Sequence, residues 1–143
     1  MERTKIFNEL DFPISILEIK DTLKRLRNGK SSGVDRICNE MLKHANDKML
    51  LAFKKLFNLI LVSSKFPEEW SKGIISAIYK SGDSMVCDNY RGITVSSCLG
   101  KLFTSILNKR LLSFVSKEKL IPENQIGFLP NSRTSDHIYV KCH

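Results

Sequence analysis

The sequence contains no apolar run long enough to cross a membrane, for which about 18 residues are needed. Its first residues, Met-Glu-Arg-Thr-Lys, also lack the apolar core of a secretory signal peptide. We therefore expect neither a membrane-spanning segment nor a membrane partner.

Cysteine is sparse and scattered, with four residues and no C-x-x-C pair. The three histidines do not complete the ligand spacing of a zinc site, so we predict no bound metal. Thiols without a secretory signal favour a reducing compartment, hence an intracellular location, nucleus or cytoplasm. The residues concerned are Cys38, Cys87, Cys98 and Cys142, with His44, His137 and His143.

Acidic residues are outnumbered, with 15 Asp and Glu against 23 Lys and Arg, which gives a net charge of +8. This balance favours a polyanionic partner, most simply nucleic acid; a protein that is merely basic is the alternative. The 143 residues suffice for one domain with a core.

Helical patterns occupy most of the chain. Ser15 and Glu18 form a capping box, and the apolar spacing predicts an amphipathic helix over residues 15–28 with a basic C-terminal end. A short second helix follows. Met49 to Val62 is apolar on nearly every side and is predicted to be the central helix of the core. Ser96 or Ser97 is expected to cap a long helix reaching Val115. The basic pair Lys109-Arg110 in that helix is interpreted as solvated, with a phosphate contact as the alternative.

A β-hairpin is predicted between these helices. Ile74–Tyr79 and Tyr90–Val95 are β-prone runs, separated by a polar loop that begins with Lys-Ser-Gly-Asp. Neither strand has a clean polar face, so we expect both faces of the hairpin to be covered. The fold should bring Lys80 and Arg91 together at the loop end, where paired cations suit a triphosphate. Trp70, beside the first strand, is interpreted as a core anchor, with a base-stacking platform as the alternative.

The motifs of this region resemble those of a known family. Trp70, Ile-Tyr-Lys80-Ser-Gly-Asp83 and Asn89-Tyr90-Arg91-Gly-Ile-Thr resemble the first finger motifs of non-LTR retrotransposon (LINE-type) reverse transcriptases. Gly92 stands where that family has proline. The resemblance implies that Lys80 and Arg91 bind the triphosphate of the incoming deoxynucleoside triphosphate.

Two further stretches resemble the same family. Lys30, Gly33 and Asp35 match a loop that touches the template; a plain inter-helix loop with Asp35 capping the next helix is the alternative. Gln125, Gly127 and Phe128 match a second finger motif, although Leu129 stands where arginine is usual. The resemblance implies template–primer contacts at Lys30, Gly33, Gln125, Gly127 and Phe128.

The carboxylates of nucleotidyl transfer are missing. That reaction needs two divalent metals, and the sequence contains no Asp-Asp pair or Tyr-x-Asp-Asp turn. We assign no catalytic and no metal-binding residue. No cofactor is expected in this piece, and Mg²⁺ only in a complete enzyme.

The sequence thus predicts an α+β fold, mainly helical with one β-hairpin. The resemblance implies that residues 1–143 are a partial reverse transcriptase domain, comprising the fingers and the start of the palm of a right-hand polymerase. Such a fragment of an RNA-directed DNA polymerase would contact RNA and DNA without being catalytic by itself. A freestanding basic nucleic-acid-binding module and a small helical protein-interaction domain are the alternatives.

Overall fold

The computed structural model describes residues 8–121. Within them six α-helices flank an antiparallel hairpin, whose connecting loop contains a single 3₁₀ turn, Cys87–Asn89. The helices are α1 (Asn8–Asp11), α2 (Ile16–Arg25), α3 (Asn39–Lys43), α4 (Asp47–Ser63), α5 (Glu68–Ser71) and α6 (Cys98–Lys117). The strands are β1 (Gly73–Tyr79) and β2 (Tyr90–Ser96). This mixture of helices and one hairpin agrees with the predicted α+β class.

Helix α2 begins where the sequence predicts and ends three residues early. Ser15 and Glu18 form both bonds of the capping box. The helix stops at Arg25 rather than at residue 28, because the next residues turn towards α3. There the Asn39 side chain donates to the carbonyl of Arg27 at 2.8 Å, which holds that carbonyl outside the helix.

The core lies between α2, α4 and α6. Helix α4 is its centre, as predicted, and is capped by Asn46, whose side chain accepts from the Met49 amide at 3.0 Å. Phe57 is fully buried and packs its ring against Phe53 and Phe103. The buried apolar residues are Ile14, Ile19, Leu23, Leu42, Leu50, Phe53, Phe57, Ile60, Cys98, Leu102, Phe103 and Ile106.

Trp70 is confirmed as a core anchor at the base of the hairpin. Its ring makes edge contacts with Phe57 and Phe66 and a tilted contact with Phe103. A Cβ at Gly100 would lie only 3.1 Å from the Trp70 Cβ, so the first turn of α6 packs directly on the tryptophan. This packing fixes where β1 leaves the core.

The two strands pair in a regular antiparallel register, from Gly73 opposite Ser96 to Tyr79 opposite Tyr90. The expectation that both faces are covered is wrong for the part of the chain that the structure describes. Every residue of β1 is exposed, and Ile75 keeps 74% of its surface accessible. The apolar pattern shows that these faces suit burial, but no described element packs over them.

Candidate nucleotide and template site

The loop between the strands is closed by its own hydrogen bonds. The Lys80 amide donates to the carbonyl of Asn89 at 2.8 Å, which extends the strand ladder by one pair. The Asn89 side chain donates to the carbonyl of Asp83 at 2.7 Å. Gly82 has φ +98, and an added Cβ would lie 2.7 Å from Asn89 Nδ2. Glycine is therefore required at this turn, and Asn89 holds the loop from inside.

One face of the hairpin end is occupied by tyrosines. The rings of Tyr79 and Tyr90 lie 5.5 Å apart across the strands. Tyr90 Oη donates to the carbonyl of Ser84 at 3.0 Å, and the Tyr79 hydroxyl donates to the carbonyl of Gly82. These bonds hold the loop against the tyrosine face.

Lys80 and Arg91 lie on the opposite face. Arg91 pairs with Ile78, and Lys80 follows two residues after Ile78, so strand alternation turns both cations to the same side. Lys80 Nζ donates to the carbonyl of Asp88 at 3.3 Å, while the exposed side chain of Arg91 makes no hydrogen bond or ion pair within residues 8–121. The hairpin thus presents two diagonal cations on a braced support, a geometry suited to a polyphosphate.

The loop of Lys30, Gly33 and Asp35 docks on the junction between β2 and α6. Gly33 is buried, and a Cβ there would come within 2.7 Å of the Ser97 amide nitrogen and 2.9 Å of the Ser96 carbonyl carbon. Gly33 therefore has a packing role here, since only glycine permits this backbone approach. Lys30 is exposed, as a contact with a phosphate requires.

Asp35 ties the same loop to the start of α6. Ser97 Oγ donates to Asp35 Oδ2 at 2.6 Å and accepts from the Gly100 amide at 3.2 Å. Asp35 Oδ1 also accepts from the Ile37 amide at 3.1 Å. The interpretation of Asp35 as the cap of the next helix is wrong, because Cys38 is the N-cap residue of α3 and makes no side-chain cap bond.

Three predicted template–primer residues, Gln125, Gly127 and Phe128, lie outside the described residues. The structure therefore brings together the Lys30 loop and the base of the Lys80–Arg91 hairpin, through Ser96 and Ser97. Their predicted contacts with nucleotide and template stay predictions.

Neither a metal centre nor a membrane span is found in the described part of the chain. Residues 8–121 hold no group of three His, Cys, Asp or Glu side chains that could bind a metal ion. None of the helices in this range is both long enough and apolar enough to cross a bilayer.

Sequence reasoning missed the most connected side chain, Arg110. The basic pair Lys109-Arg110 was interpreted as solvated, with a phosphate contact as the alternative, and both are wrong for Arg110 in this structure. Its side chain is 11% exposed and reaches Glu18 with Nε–Oε1 at 2.7 Å and Nη2–Oε2 at 2.9 Å. The remaining donors bond the carbonyls of Leu10, Phe12 and Pro13.

The electrostatics of this pair are strong. The hydrogen bonds from Arg110, with smaller contributions from those of Ser15, lower the pKa of Glu18 to about 2 against the opposing effect of its partial burial. Glu18 therefore serves both as the capping-box acid of α2 and as the anchor of α6. The capping box was visible in the sequence, but the partner 92 residues away was not.

The chain is similar to RNA-directed DNA polymerases of insect transposons. It is 30% identical over 128 residues, 89% of its length, to the "Probable RNA-directed DNA polymerase from transposon BS" of Drosophila melanogaster. It is 30% identical over 92% of its length to the corresponding X-element protein, and 27% identical over 92% to the RNA-directed DNA polymerase of mobile element jockey, both from the same species.

The match covers nearly all of this chain but only part of each relative. The chain spans 14% of the transposon BS protein and 15% of the X-element and jockey proteins. No protein-family model matches the chain. The resemblance to non-LTR retrotransposon reverse transcriptases, drawn from the motifs, is confirmed by these relatives.

Proposed function

Because the chain is related over nine tenths of its length to one segment of non-LTR retrotransposon RNA-directed DNA polymerases, we propose that it forms the fingers and the start of the palm of such an enzyme. In this proposal Lys80 and Arg91 bind the triphosphate of the incoming deoxynucleoside triphosphate. The loop of Lys30 contacts the template, and the piece alone is not catalytic.

The shared face of Lys80 and Arg91 is the observation that carries this proposal. The tyrosines on the other face and the bonds inside the loop hold the backbone that carries both cations. A preorganised backbone lessens the conformational entropy that is lost when an anion binds. Arginine adds a planar fork of donors, and lysine a compact charge that can follow the phosphates.

The described carboxylates do not fit the two-metal site that nucleotidyl transfer uses. Asp35 accepts from Ser97, Asp83 accepts from the Met85 amide within its loop, and Asp21 pairs with Lys109 and Arg25. No cluster among residues 8–121 could hold Mg²⁺, which supports a role in binding and orientation for this part of the chain.

The test is a chimaera in which this chain replaces the matching segment of the jockey polymerase. Lys80→Ala and Arg91→Ala should each raise the nucleotide KM by about ten- to a hundredfold, the effect of losing a charge-assisted contact of roughly 1.5–3 kcal/mol. Template–primer affinity should change far less, since that binding is spread over many contacts.

Lys55→Ala is the matched control. Lys55 is exposed on α4, and its substitution removes the same charge as either hairpin substitution. If both hairpin variants use nucleotide as well as the control does, the hairpin is only a scaffold. The proposed triphosphate site is then wrong.

A further inference from the structure

A second basic surface lies away from the hairpin, in a groove between α2, α3 and α4. Its volume is about 410 Å³, within the range of pockets that take a nucleotide-sized group. Leu23, Ala45 and Leu50 form an apolar floor, and Leu23 and Leu50 are almost fully buried. The rim carries three lysines, Lys20, Lys24 and Lys43.

The rim charge is only weakly compensated. Lys20 Nζ lies 3.4 Å from Asp47 Oδ1, whose side chain is 90% exposed, so water and salt screen that pair. Lys43 Nζ donates to the neutral side chain of Asn28 at 2.7 Å. The Lys24 side chain makes no hydrogen bond or close ion pair with a described residue, but its charge helps to lower the pKa of Asp21, as that of Lys43 helps to lower the pKa of Glu40. Three lysine charges thus border one groove, and among described residues only that of Lys20 lies within 4.0 Å of a carboxylate oxygen.

A second groove, between α2 and α6, also has cations in its lining, but there they are paired with a carboxylate. Its Arg25 and Lys109 both bind Asp21, at 2.9 and 2.7 Å. The hydrogen bond from Lys109 lowers the pKa of Asp21, which therefore keeps its negative charge beside both cations. The groove of the three lysines is the better anion site.

Hydrogen bonds connect the rim of the lysine groove to the loop that carries Lys30. Asn28, which binds Lys43, is two residues from Lys30. The Gly29 amide donates to Glu40 Oε1 at 2.5 Å, and the Asn39 side chain holds the carbonyl of Arg27. Helix α3 is thereby fixed beside the loop, so Lys30, which does not itself line the groove, is attached to the rim through the bond between Lys43 and Asn28.

We propose that a single-stranded nucleic acid crosses this groove, with its phosphates on Lys20, Lys24 and Lys43 and a sugar–base unit over the apolar floor. This rests on the proposed function and extends its template contact from Lys30 along α2 and α3. The groove has no aromatic lining on which to stack a base and no side-chain amide or carboxylate aimed at base edges. Binding is therefore insensitive to sequence.

The experiment measures binding of a fluorescent single-stranded oligouridylate to the full chain over a range of salt concentrations. Changing Lys20, Lys24 and Lys43 together to glutamine should lower affinity at least tenfold at low salt. It should also reduce the slope of log K against log salt by about 2, since each phosphate contact on a single strand contributes about 0.7.

The matched control changes Lys55, Lys65 and Lys119 to glutamine, which removes the same charge from exposed positions that do not line the groove. A triple change of the rim lysines to arginine should keep the parent slope. Far-ultraviolet circular dichroism checks that each variant stays folded.

The two failures are distinguishable. If the groove variant binds like the Lys55, Lys65 and Lys119 variant, the groove is not a nucleic-acid site, while the Lys80–Arg91 proposal stands on its own chimaera test. If the parent chain binds no oligouridylate even at low salt, the inference is overturned, and the proposed template contact fails with it.

Discussion

Replacing Arg110 with methionine should destabilise the described domain more than any other single charge removal. Methionine keeps the length of the side chain but removes the whole hydrogen-bonding fork. The change leaves the Glu18 carboxylate and the carbonyls of Leu10, Phe12 and Pro13 without their common donor. Because the guanidinium is only 11% exposed, water replaces it poorly.

The magnitude follows from two independent arguments. Removing one partner of a buried ion pair costs about 3–5 kcal/mol, and partial exposure of Glu18 lowers this. The pKa of Glu18 falls from 4.5 to about 2, and each unit is worth about 1.36 kcal/mol, so the full shift amounts to roughly 3 kcal/mol before screening. Arg110 is the largest cause of this shift, and the smaller part that comes from the Ser15 bonds remains in the variant. We expect a loss of about 2–3 kcal/mol, a large part of the stability of a small domain.

The pH dependence gives a second signature of the same pair. The folded-state pKa of Glu18 is depressed, so the pair stabilises the fold fully above pH 4.5 and loses this effect as pH falls towards about 2. In Arg110→Met the loss of stability between these values should be smaller than in the parent. Urea unfolding followed by circular dichroism at several pH values measures both effects.

Lys109→Met is the control on the neighbouring residue of the same helix. Lys109 pairs with Asp21 at 2.7 Å, but both side chains are about half exposed, so we expect a near-neutral effect. Arg110→Lys should recover part of the stability, because lysine keeps the charge and loses the fork. The anchor role of Arg110 is refuted if Arg110→Met unfolds at the same urea concentration as Lys109→Met. It is also refuted if Arg110→Met loses as much stability as the parent does between pH 4.5 and about 2.

Three other outcomes are expected. Gly33→Ala should lower the free energy of unfolding by roughly 1–3 kcal/mol, because the added Cβ meets backbone atoms of Ser96 and Ser97. Gly92→Ala should be near neutral, since the nearest contact of its Cβ is a side-chain atom at 3.4 Å, and equal urea midpoints for the two variants would contradict this. The chain alone should extend no primer on an RNA template with Mg²⁺ or Mn²⁺, and incorporation above a no-protein control would overturn its non-catalytic role. The exposed apolar side chains of the hairpin, such as Ile75, should make the isolated chain self-associate. A monodisperse monomer in light scattering would contradict the interpretation that the hairpin faces are built to be covered by another surface.

Local hydrogen-bond patterns were the part of the fold that the sequence predicted well. The capping box of Ser15 and Glu18 depends on residues three apart, so spacing alone identifies it, and the cap of α6 was narrowed to Ser96 or Ser97, of which Ser97 is the cap. The predicted ends of both hairpin strands agree with the structure to within one residue, because the apolar and turn residues of the hairpin specify its pairing without distant contacts.

Long-range contacts were the part that it could not predict. Arg110 meets residues almost a hundred positions away, and nothing in the Lys-Arg pair distinguishes an anchored arginine from a solvated one. Helix α2 was predicted too long because Asn39, on another helix, captures the Arg27 carbonyl. The lysine groove likewise appears only once α3 and α4 fold against α2.

The candidate nucleotide site depends on the base of the hairpin more than on its faces. At a rise of about 3.3 Å per residue, the seven residues of β1 place Lys80 roughly 20 Å beyond the core. Within residues 8–121 the hairpin is held at its base, by Trp70 against Gly100 and by Ser96 and Ser97 against Gly33. A small change of angle there moves both cations by several ångströms. The same junction receives Asp35 from the Lys30 loop, so one end of α6 sets the relative position of the proposed template and triphosphate contacts.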